Sequence, residues 1–290
     1  MKVKTAILPA AGLGTRFLPI TKSIPKEMLP VVDKPLIQYA VEEALASGIE
    51  KIIVVDSAGK STIGDYFDKS RMLEMELAER GKHDLLKEEK RLASLVDIAF
   101  IRQKEAIGVG HAVAIALPLV GEEPFAVMFC DDVIDAEPPA LKQMVDEFER
   151  LQNPIVAAME VPEAMTHKYG ILDTAEKDGG SYSLKGMIEK PPKGKAPGNL
   201  AIIGRYILTP DIIPILQRID TDHTGEVQLT TALIELLGKR KIYGYRFKGE
   251  RFDAGSKIGF LEANINYALK RDGMRADLLN YLKVVLSKED

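Results

Sequence analysis

The chain has 290 residues, 46% of them hydrophobic and 28% charged, which is the composition of a globular protein long enough to bury a large core. Its formal net charge of -4 excludes a global positive field for nucleic acid, and its one cysteine excludes an intrachain disulfide. Since no apolar run is long enough to span a membrane and no signal-peptide pattern opens the sequence, we expect a cytoplasmic protein.

Apolar runs alternate with helical patterns along the first half of the chain. Residues 35–47 place their apolar side chains on one face of a helix, which Gly48 ends, and residues 108–117 predict a second helix. Strands are predicted at residues 5–8, 51–55, 97–101 and 125–129. This order predicts a mostly parallel sheet covered by helices on both faces, with ligands at the carboxyl ends of its strands.

The rest of the chain adds a helical insertion and a second set of strands and helices. Residues 60–95 are charged and helical, and they predict either a solvated packing element or a subunit contact. Further strands are predicted at residues 155–160, 170–173, 184–189 and 201–208, and helices at 210–217, 228–239, 256–270 and 274–288. No linker pattern separates the two halves, so residues 1–290 are predicted to form one domain.

A glycine-rich turn follows the first strand at residues 10–16 (AAGLGTR), and Lys26 comes ten residues after Arg16. Glycine lets backbone N–H groups approach a ligand closely, and fixed cations are favourable beside phosphates. A dinucleotide fingerprint is disfavoured because Phe17 stands at its third glycine, and no Walker A pattern occurs. The turn therefore predicts phosphate binding, and the simpler alternative is a strand-turn with an exposed arginine and lysine.

Carboxylates follow two predicted strands. Asp131 and Asp132 come directly after the fourth strand, and Asp253 follows a short apolar segment near the C-terminal helices. Since Mg²⁺ takes one or two protein carboxylates and fills its other positions with water and substrate phosphates, these acids predict a magnesium site. The alternative for each is a loop acid or a helix cap. Zinc is disfavoured, because the histidines are scattered and the chain has one cysteine.

Other polar residues lie at the ends of predicted elements. Gln103 follows the third strand and Gly108 opens a helix, where an amide and a close backbone can read the edge of a pyrimidine. The alternative is a surface amide and an ordinary helix-start glycine. Glu189 and Lys190 end another strand, and they suit sugar hydroxyls and a phosphate respectively. Glu226 precedes a helix, where its simpler role is a favourable interaction with the helix dipole.

These motifs together resemble one enzyme family across nearly the whole chain. Residues 11–16 with Pro25 and Lys26 are similar to the signature of the sugar-1-phosphate nucleotidylyltransferases. Within this family, the chain resembles the bacterial-type UTP–glucose-1-phosphate uridylyltransferases at four places. These are residues 26–30 (KEMLP), the insertion after residues 67–68, residues 225–230 (GEVQLT) and residues 252–255 (FDAG). The resemblance implies a Rossmann-like three-layer α/β fold, with a mixed, mostly parallel central sheet flanked by helices.

The resemblance also implies a role for each candidate residue. It assigns Arg16 to the departing pyrophosphate, Lys26 to the phosphates of the reaction zone and Lys190 to the phosphate of the sugar. The implied ligands of the cofactor Mg²⁺ are Asp131 and Asp253. The implied nucleotide-binding residues are Ala10, Ala11, Gly12, Gly14, Gln103 and Gly108. The implied sugar-binding residues, in a subregion at about residues 160–255, are Gly170, Glu189, Asn199, Gly204 and Glu226.

The activity that the resemblance implies is transfer of a uridylyl group from UTP to glucose 1-phosphate, by direct displacement at the α-phosphorus. The implied partners are these two substrates and further copies of the chain in a dimer or tetramer, without nucleic acid or membrane. Of the two adjacent acids, Asp131 is preferred over Asp132 as metal ligand because it comes first after the strand.

Three alternatives to this activity remain. One is a related transferase that uses dTTP, CTP or ATP, and another is a non-catalytic relative that binds nucleotide sugars. The third is an NAD-dependent dehydrogenase, which Phe17 and the distant position of Asp56 disfavour.

Overall fold

Strands and helices alternate through the computed structural model of the protein, which describes residues 1–222 and 225–288. Its strands are β1 (Thr5–Pro9), β2 (Pro30–Val31), β3 (Lys34–Pro35), β4 (Lys51–Asp56), β5 (Ile98–Arg102), β6 (Phe125–Met128), β7 (Asp132–Asp135), β8 (Ile155–Glu160), β9 (Gly170–Asp178), β10 (Ser181–Glu189), β11 (Leu200–Leu208), β12 (Tyr243–Arg246) and β13 (Glu250–Asp253). Its helices are α1 (Leu36–Ala46), α2 (Ser61–Phe67), α3 (Arg71–Glu79), α4 (His83–Leu92), α5 (Val109–Val120), α6 (Ala140–Leu151), α7 (Ile213–Leu216), α8 (Leu229–Leu237), α9 (Lys257–Leu269) and α10 (Asp272–Leu286). None of these described helices is long and apolar enough to cross a membrane.

A nine-stranded mixed sheet forms the centre of the fold, in the order β5-β4-β1-β6-β11-β8-β12-β10-β9. Strands β5, β4, β1 and β6 run parallel to one another. Strand β11 runs antiparallel to both β6 and β8, and β9 and β10 form an antiparallel hairpin at the far edge. The predicted mixed sheet flanked by helices is confirmed, and its main parallel block comes from the first half of the chain.

Helices cover both faces of this sheet, which is why its central strands are continuously apolar. On one face, Ile7 belongs to a buried cluster with Val113 of α5 and Leu233 of α8. On the other face, Leu8 belongs to a buried cluster with Val41 of α1 and with residues of α6. Because neighbouring residues of a strand point to opposite faces, β1 contributes to both clusters, and the three predicted layers follow.

Several elements differ from the predictions. The insertion at residues 60–95 is divided into three helices, and its role as a subunit contact stays a prediction. Strand β9 runs to Asp178 rather than to residue 173, because its outer residues are exposed at the sheet edge and carry no apolar signal. The two-stranded ladder of β7 and β13 was not predicted, since four residues are too few for a clear period. Helix α6 was also not predicted, although its amphipathic pattern could have revealed it.

Arg205 of β11 is 1% exposed and lies beneath the segment that joins β6 to β7. Its Nη1 donates to the carbonyl oxygens of Phe129 at 2.8 Å and Gly204 at 2.9 Å. Its Nη2 donates to the carbonyl oxygen of Asp132 and to Glu43 Oε2, both at 2.8 Å. The guanidinium therefore ties this segment to β11 and, through Glu43, to α1.

We expect Arg205→Met to lower the free energy of unfolding by about 3–5 kcal/mol, because it leaves the buried carboxylate of Glu43 without its cation and removes hydrogen bonds from buried carbonyl groups. Urea unfolding followed by circular dichroism measures this loss. The control is Arg246→Met, which removes a half-exposed ion pair with Glu160 and should change the free energy by about 1 kcal/mol or less. Equal losses in the two variants would contradict the structural role of Arg205.

Candidate active site

Two adjoining cavities open at the carboxyl ends of the parallel strands. The first, of about 430 Å³, is lined by the loop after β1, by the start of α5 and by side chains that include Lys26 and Gln103. The second, of about 230 Å³, is lined by residues of β9, β10, β11 and β13. Phe129 and Asp131 line both cavities, so ligands bound in the two cavities would meet beside these residues.

The glycine-rich loop forms one wall of the first cavity, where Ala11, Gly12 and Gly14 are among the lining residues. Gly14 has a φ of 64°, which is the left-handed region that favours glycine. A Cβ at Gly14 would lie 3.1 Å from Cβ of Lys26 and 3.2 Å from Cγ2 of Thr21. A side chain at this position would therefore strain the backbone and crowd Lys26.

Lys60 holds this loop from behind and was not found by sequence reasoning. Its Nζ donates to the carbonyl oxygens of Ala10 and Gly12, the second at 2.7 Å, and to Glu27 Oε2 at 2.8 Å. Both charged side chains are almost fully buried. Burial raises the pKa of Glu27 above its ordinary value, although the charge of Lys60 lowers it. The two carbonyl groups are thus turned toward Lys60, which does not line the first cavity.

Lys26 and Asp131 form an ion pair where the two cavities meet, with 2.6 Å between Nζ and Oδ2 and about a quarter of each side chain exposed. Burial by itself lowers the pKa of Lys26, but the charges of Asp131 and Glu27 raise it above its ordinary value. Burial by itself raises the pKa of Asp131, but the charge and hydrogen bond of Lys26 lower it below its ordinary value. Both groups are therefore charged at neutral pH.

The adjacent Asp132 is engaged by protein groups at both carboxylate oxygens. Its Oδ2 accepts a hydrogen bond from the backbone N–H of Gly204 at 2.8 Å, and its Oδ1 pairs with the buried guanidinium of Arg251. Arg251 also donates to Tyr169 Oη at 3.3 Å. Sequence reasoning did not single out Arg251. These contacts favour Asp131 over Asp132 as the acid that is available to a ligand.

Asp131 and Asp253 converge on one small space. The ladder of β7 and β13 pairs Asp253 with Asp132, which brings it beside the preceding residue. A Cβ at Gly255 would lie 2.8 Å from Asp131 Oδ2 and 3.1 Å from Asp253 Oδ1, so both oxygens face the space beside this glycine. Burial raises the pKa of Asp253 above its ordinary value, and the charge of Arg251 only partly offsets this.

These two carboxylates suit a cation that takes its other ligands from outside the protein. The described residues contain no group of three or more histidine, cysteine or acidic side chains that could hold a metal by themselves. Mg²⁺ does not need such a group, because one or two carboxylates together with substrate phosphates and water complete its shell. The residues present therefore fit the magnesium site that the sequence predicts.

The second cavity brings together Gly170, Glu189 and Gly204 of the predicted sugar-binding set. A Cβ at Gly170 would lie 3.0 Å from Glu189 Oε2, and a Cβ at Gly204 would lie 2.6 Å from Cβ of Phe129. Only glycine fits at the second of these positions without a backbone or ring displacement. The carboxylate of Glu189 is thus presented to a cavity whose walls are kept open by small residues.

Arg16 lies at the border of the two cavities. The short 3₁₀ turn Thr15–Phe17 places Thr15 in the lining of the first cavity and Arg16 in the lining of the second. Arg16 Nη1 lies 3.4 Å from the carbonyl oxygen of Gly255, to which it donates. Its charge is therefore placed beside the converging carboxylates rather than against the glycine-rich loop.

Four predicted site residues do not line the cavity to which their predicted roles would assign them. Ala10 is fully buried and does not line the first cavity. Lys190 lines neither cavity, and its largely exposed Nζ lies 3.7 Å from Glu189 Oε1. Asn199 is exposed and lines neither cavity. Glu226 lines the first cavity, not the second, because the segment before α8 packs against the start of α5.

Gln103 and Gly108, which the sequence analysis assigns to the base, both line the first cavity. Gly108 has a φ of 101°, and a Cβ there would lie 2.6 Å from the carbonyl oxygen of Val227. This glycine turns its own carbonyl group toward Gln103, whose Nε2 donates to it at 3.2 Å. The spacing of the two residues is therefore set by a close backbone contact that only glycine allows.

Comparison with known proteins shows the family of this chain. A curated protein from Bacillus subtilis (strain 168), named UTP–glucose-1-phosphate uridylyltransferase, is 48% identical over 289 residues, which cover 100% of this chain and 99% of the relative. A family model described as nucleotidyl transferase matches residues 5–270. The chain belongs to the nucleotidyl transferase family. Its predicted class, a nucleotidyltransferase enzyme, is confirmed.

Solved structures of relatives share the fold. A UDP-glucose pyrophosphorylase complexed with UDP-glucose is 44% identical and has a TM-score of 0.86, and the match covers 93% of this nucleotidyltransferase and 100% of that structure. A UTP-bound UGPase from Acinetobacter baumannii is 39% identical and has a TM-score of 0.89, and the match covers 98% of this chain and 99% of that structure. The predicted resemblance therefore extends to the arrangement of the whole fold.

We expect Lys60→Met to lower the free energy of unfolding by about 3–5 kcal/mol, because it leaves Glu27 buried without its cation. The double variant Lys60→Met/Glu27→Gln should recover a large part of this loss, since the remaining side chain is neutral. Urea unfolding of both variants measures the difference.

The control for this experiment is Lys69→Met, at an exposed lysine just after α2. It should leave stability within about 0.5 kcal/mol of the parent. A double variant that is no more stable than Lys60→Met would show that the buried carboxylate is not the source of the loss.

Proposed function

We propose that this nucleotidyltransferase transfers the uridylyl group of UTP to α-D-glucose 1-phosphate, giving UDP-glucose and pyrophosphate. The observation that carries the proposal is the common border of the two cavities at Phe129 and Asp131, where two phosphate-bearing ligands would meet. The choice of substrates is supported by relatives that are named for this reaction or were solved with UTP or UDP-glucose.

The first cavity suits the nucleotide. Gly12 and Gly14 allow the loop backbone to approach a triphosphate, and Lys60 holds two loop carbonyl groups on the opposite side. At the other end of the cavity, Gln103 and Gly108 offer an amide and a backbone to the base. A bound nucleotide would thus extend from the start of α5, where its base lies, to the glycine-rich loop, where its phosphates lie.

The second cavity suits the sugar phosphate. Glu189 can accept hydrogen bonds from sugar hydroxyl groups, and the small residues Gly170 and Gly204 leave room for the ring. Lys190 is proposed as an outer contact, because its exposed ammonium lies on a flexible stem that can turn toward a phosphate. Asn199, which is exposed and precedes β11, is proposed as a second outer contact.

The proposed reaction is a direct displacement. A phosphate oxygen of glucose 1-phosphate attacks the α-phosphorus of UTP, and the bond to pyrophosphate breaks as the new P–O bond forms. A phosphate monoester is itself a nucleophile, so no protein nucleophile is needed. Cys130 is unsuited to that role because burial raises the pKa of its thiol. Lys26 and Arg16 align the phosphates and balance their negative charge.

Asp131 and Asp253 are proposed to hold Mg²⁺, because their oxygens face one space beside Gly255. When bound, Mg²⁺ would neutralise and orient phosphate oxygens. Asp132 is not given this role, since both of its oxygens already contact protein groups.

We expect pyrophosphate release from UTP, glucose 1-phosphate and Mg²⁺ to exceed release from dTTP, CTP or ATP, and to stop when EDTA removes the metal. A coupled assay measures pyrophosphate release with each of the four nucleotides. A preference for another nucleotide would keep the reaction class and overturn the choice of UTP. Binding of nucleotide without release from any sugar phosphate would identify a non-catalytic relative.

We expect Asp131→Asn to lower this turnover by about a hundredfold or more while the fold is kept, because the carboxylate charge at the reaction zone is lost. Steady-state rates and thermal melting of the same sample test this. Asp65→Asn, at an exposed position of α2, should have the rate of the parent. An Asp131→Asn variant with the parent rate would rule out the proposed role of Asp131.

A further inference from the structure

Both hydrogens of the Gln103 side-chain amide are used within the protein. Its Nε2 lies 3.2 Å from the carbonyl oxygen of Gly108 and 2.9 Å from Nδ1 of His111. A carbonyl oxygen can only accept, so the Gly108 contact fixes the nitrogen end of the amide on this side. With that nitrogen in place, His111 Nδ1 must accept as well, and the ring of His111 carries its proton on Nε2.

The oxygen end of the same amide is left for a ligand. Gln103 is almost fully buried and lines the first cavity. No donor among residues 1–222 and 225–288 contacts its Oε1. Gln103 therefore offers one acceptor and no donor to whatever binds beside it.

The start of α5 is held so that His111 keeps its place in the first helical turn. The N–H of Gly110 donates to the carbonyl oxygen of Val227 at 2.8 Å, and the N–H of Val227 donates to the carbonyl oxygen of Ile107 at 2.7 Å. A Cβ at Gly110 would lie 2.7 Å from the same carbonyl oxygen of Val227. The imidazole is thus presented to Gln103 by a backbone that has little freedom to shift.

We propose that His111 is a positioning residue for base selection. By accepting from Gln103 Nε2, it keeps Oε1 toward the cavity, where it can accept the N3–H of uracil. Cytosine carries a lone pair at N3, which would face the lone pairs of Oε1. The inference rests on the proposed function and deepens it, because it names how the uracil-type edge is selected. Thymine has the same N3–H, so this device does not separate UTP from dTTP.

The test compares His111→Leu with His111→Asn. Leucine removes the acceptor, whereas the side-chain oxygen of asparagine can accept near the position of Nδ1. Dissociation constants of UTP and CTP are measured by calorimetry, and kcat/KM is measured for both nucleotides. We expect the preference for UTP over CTP to fall about three- to tenfold in His111→Leu, which is the effect of one neutral hydrogen bond, and to be kept in His111→Asn.

The matched control is His83→Leu, at an exposed histidine that begins α4, and it should keep the preference of the parent. Equal weakening of UTP and CTP in His111→Leu would overturn the inference, and so would an Asn variant that behaves like the Leu variant. If the parent prefers UTP in binding but transfers nothing to glucose 1-phosphate, the proposed function fails, and the binding preference of the His111 variants still decides the inference. If the parent binds neither nucleotide, both fail.

A second measurement does not depend on any variant being stable. The tautomer of His111 is read in the parent protein from long-range ¹⁵N–¹H correlations of ¹⁵N-labelled histidine at alkaline pH, with the resonance assigned from the Asn variant or from backbone connectivity. The inference requires the proton on Nε2. A neutral ring with its proton on Nδ1 would overturn it, because such a ring cannot accept from Gln103.

Discussion

The buried guanidinium of Arg205 is the contact on which the centre of the site depends. It binds the carbonyl oxygens of Phe129, Asp132 and Gly204 and pairs with the carboxylate of Glu43. A guanidinium offers its donors in a fixed planar fork, so it dictates the course of the backbone around it. The segment between β6 and β7 is thereby held at the border of the two cavities, where it presents Asp131 to both of them.

Lys60 fixes the glycine-rich loop, which is a wall of the first cavity, in the way that Arg205 fixes the segment between β6 and β7. It is a buried cation behind a loop, it binds loop carbonyl groups and it pairs with one buried carboxylate. Because these structural contacts are made by Arg205 and Lys60, the ion pair of Lys26 and Asp131 and the oxygen of Gln103 can face ligands. A site built in this way needs little rearrangement when charge develops on a substrate, which is the condition for electrostatic stabilisation.

Local sequence determined the main elements and much of the site. Continuous apolar runs mark strands covered on both faces, and residues that follow such strands must lie along one edge of a parallel sheet. Gly12, Gly14, Gln103 and Asp131 were found in this way, because their chemistry and their place after a strand coincide. Strand β7 and its pairing with β13 were not found, since this pairing joins residues that are distant in sequence.

Only the tertiary structure decided which of these residues face a ligand. The sequence places Asp131 and Asp132 side by side, and it is the distant Arg251 and Gly204 that engage one of them and leave the other available. Lys60 has the sequence of an ordinary surface lysine, and its burial accompanies its contacts with Glu27 and with the carbonyl groups of Ala10 and Gly12. The sequence by itself thus determined the fold class, the family and the kinds of chemical group present. The fold decided their partners, because a hydrogen bond between remote residues leaves no periodic trace in the chain.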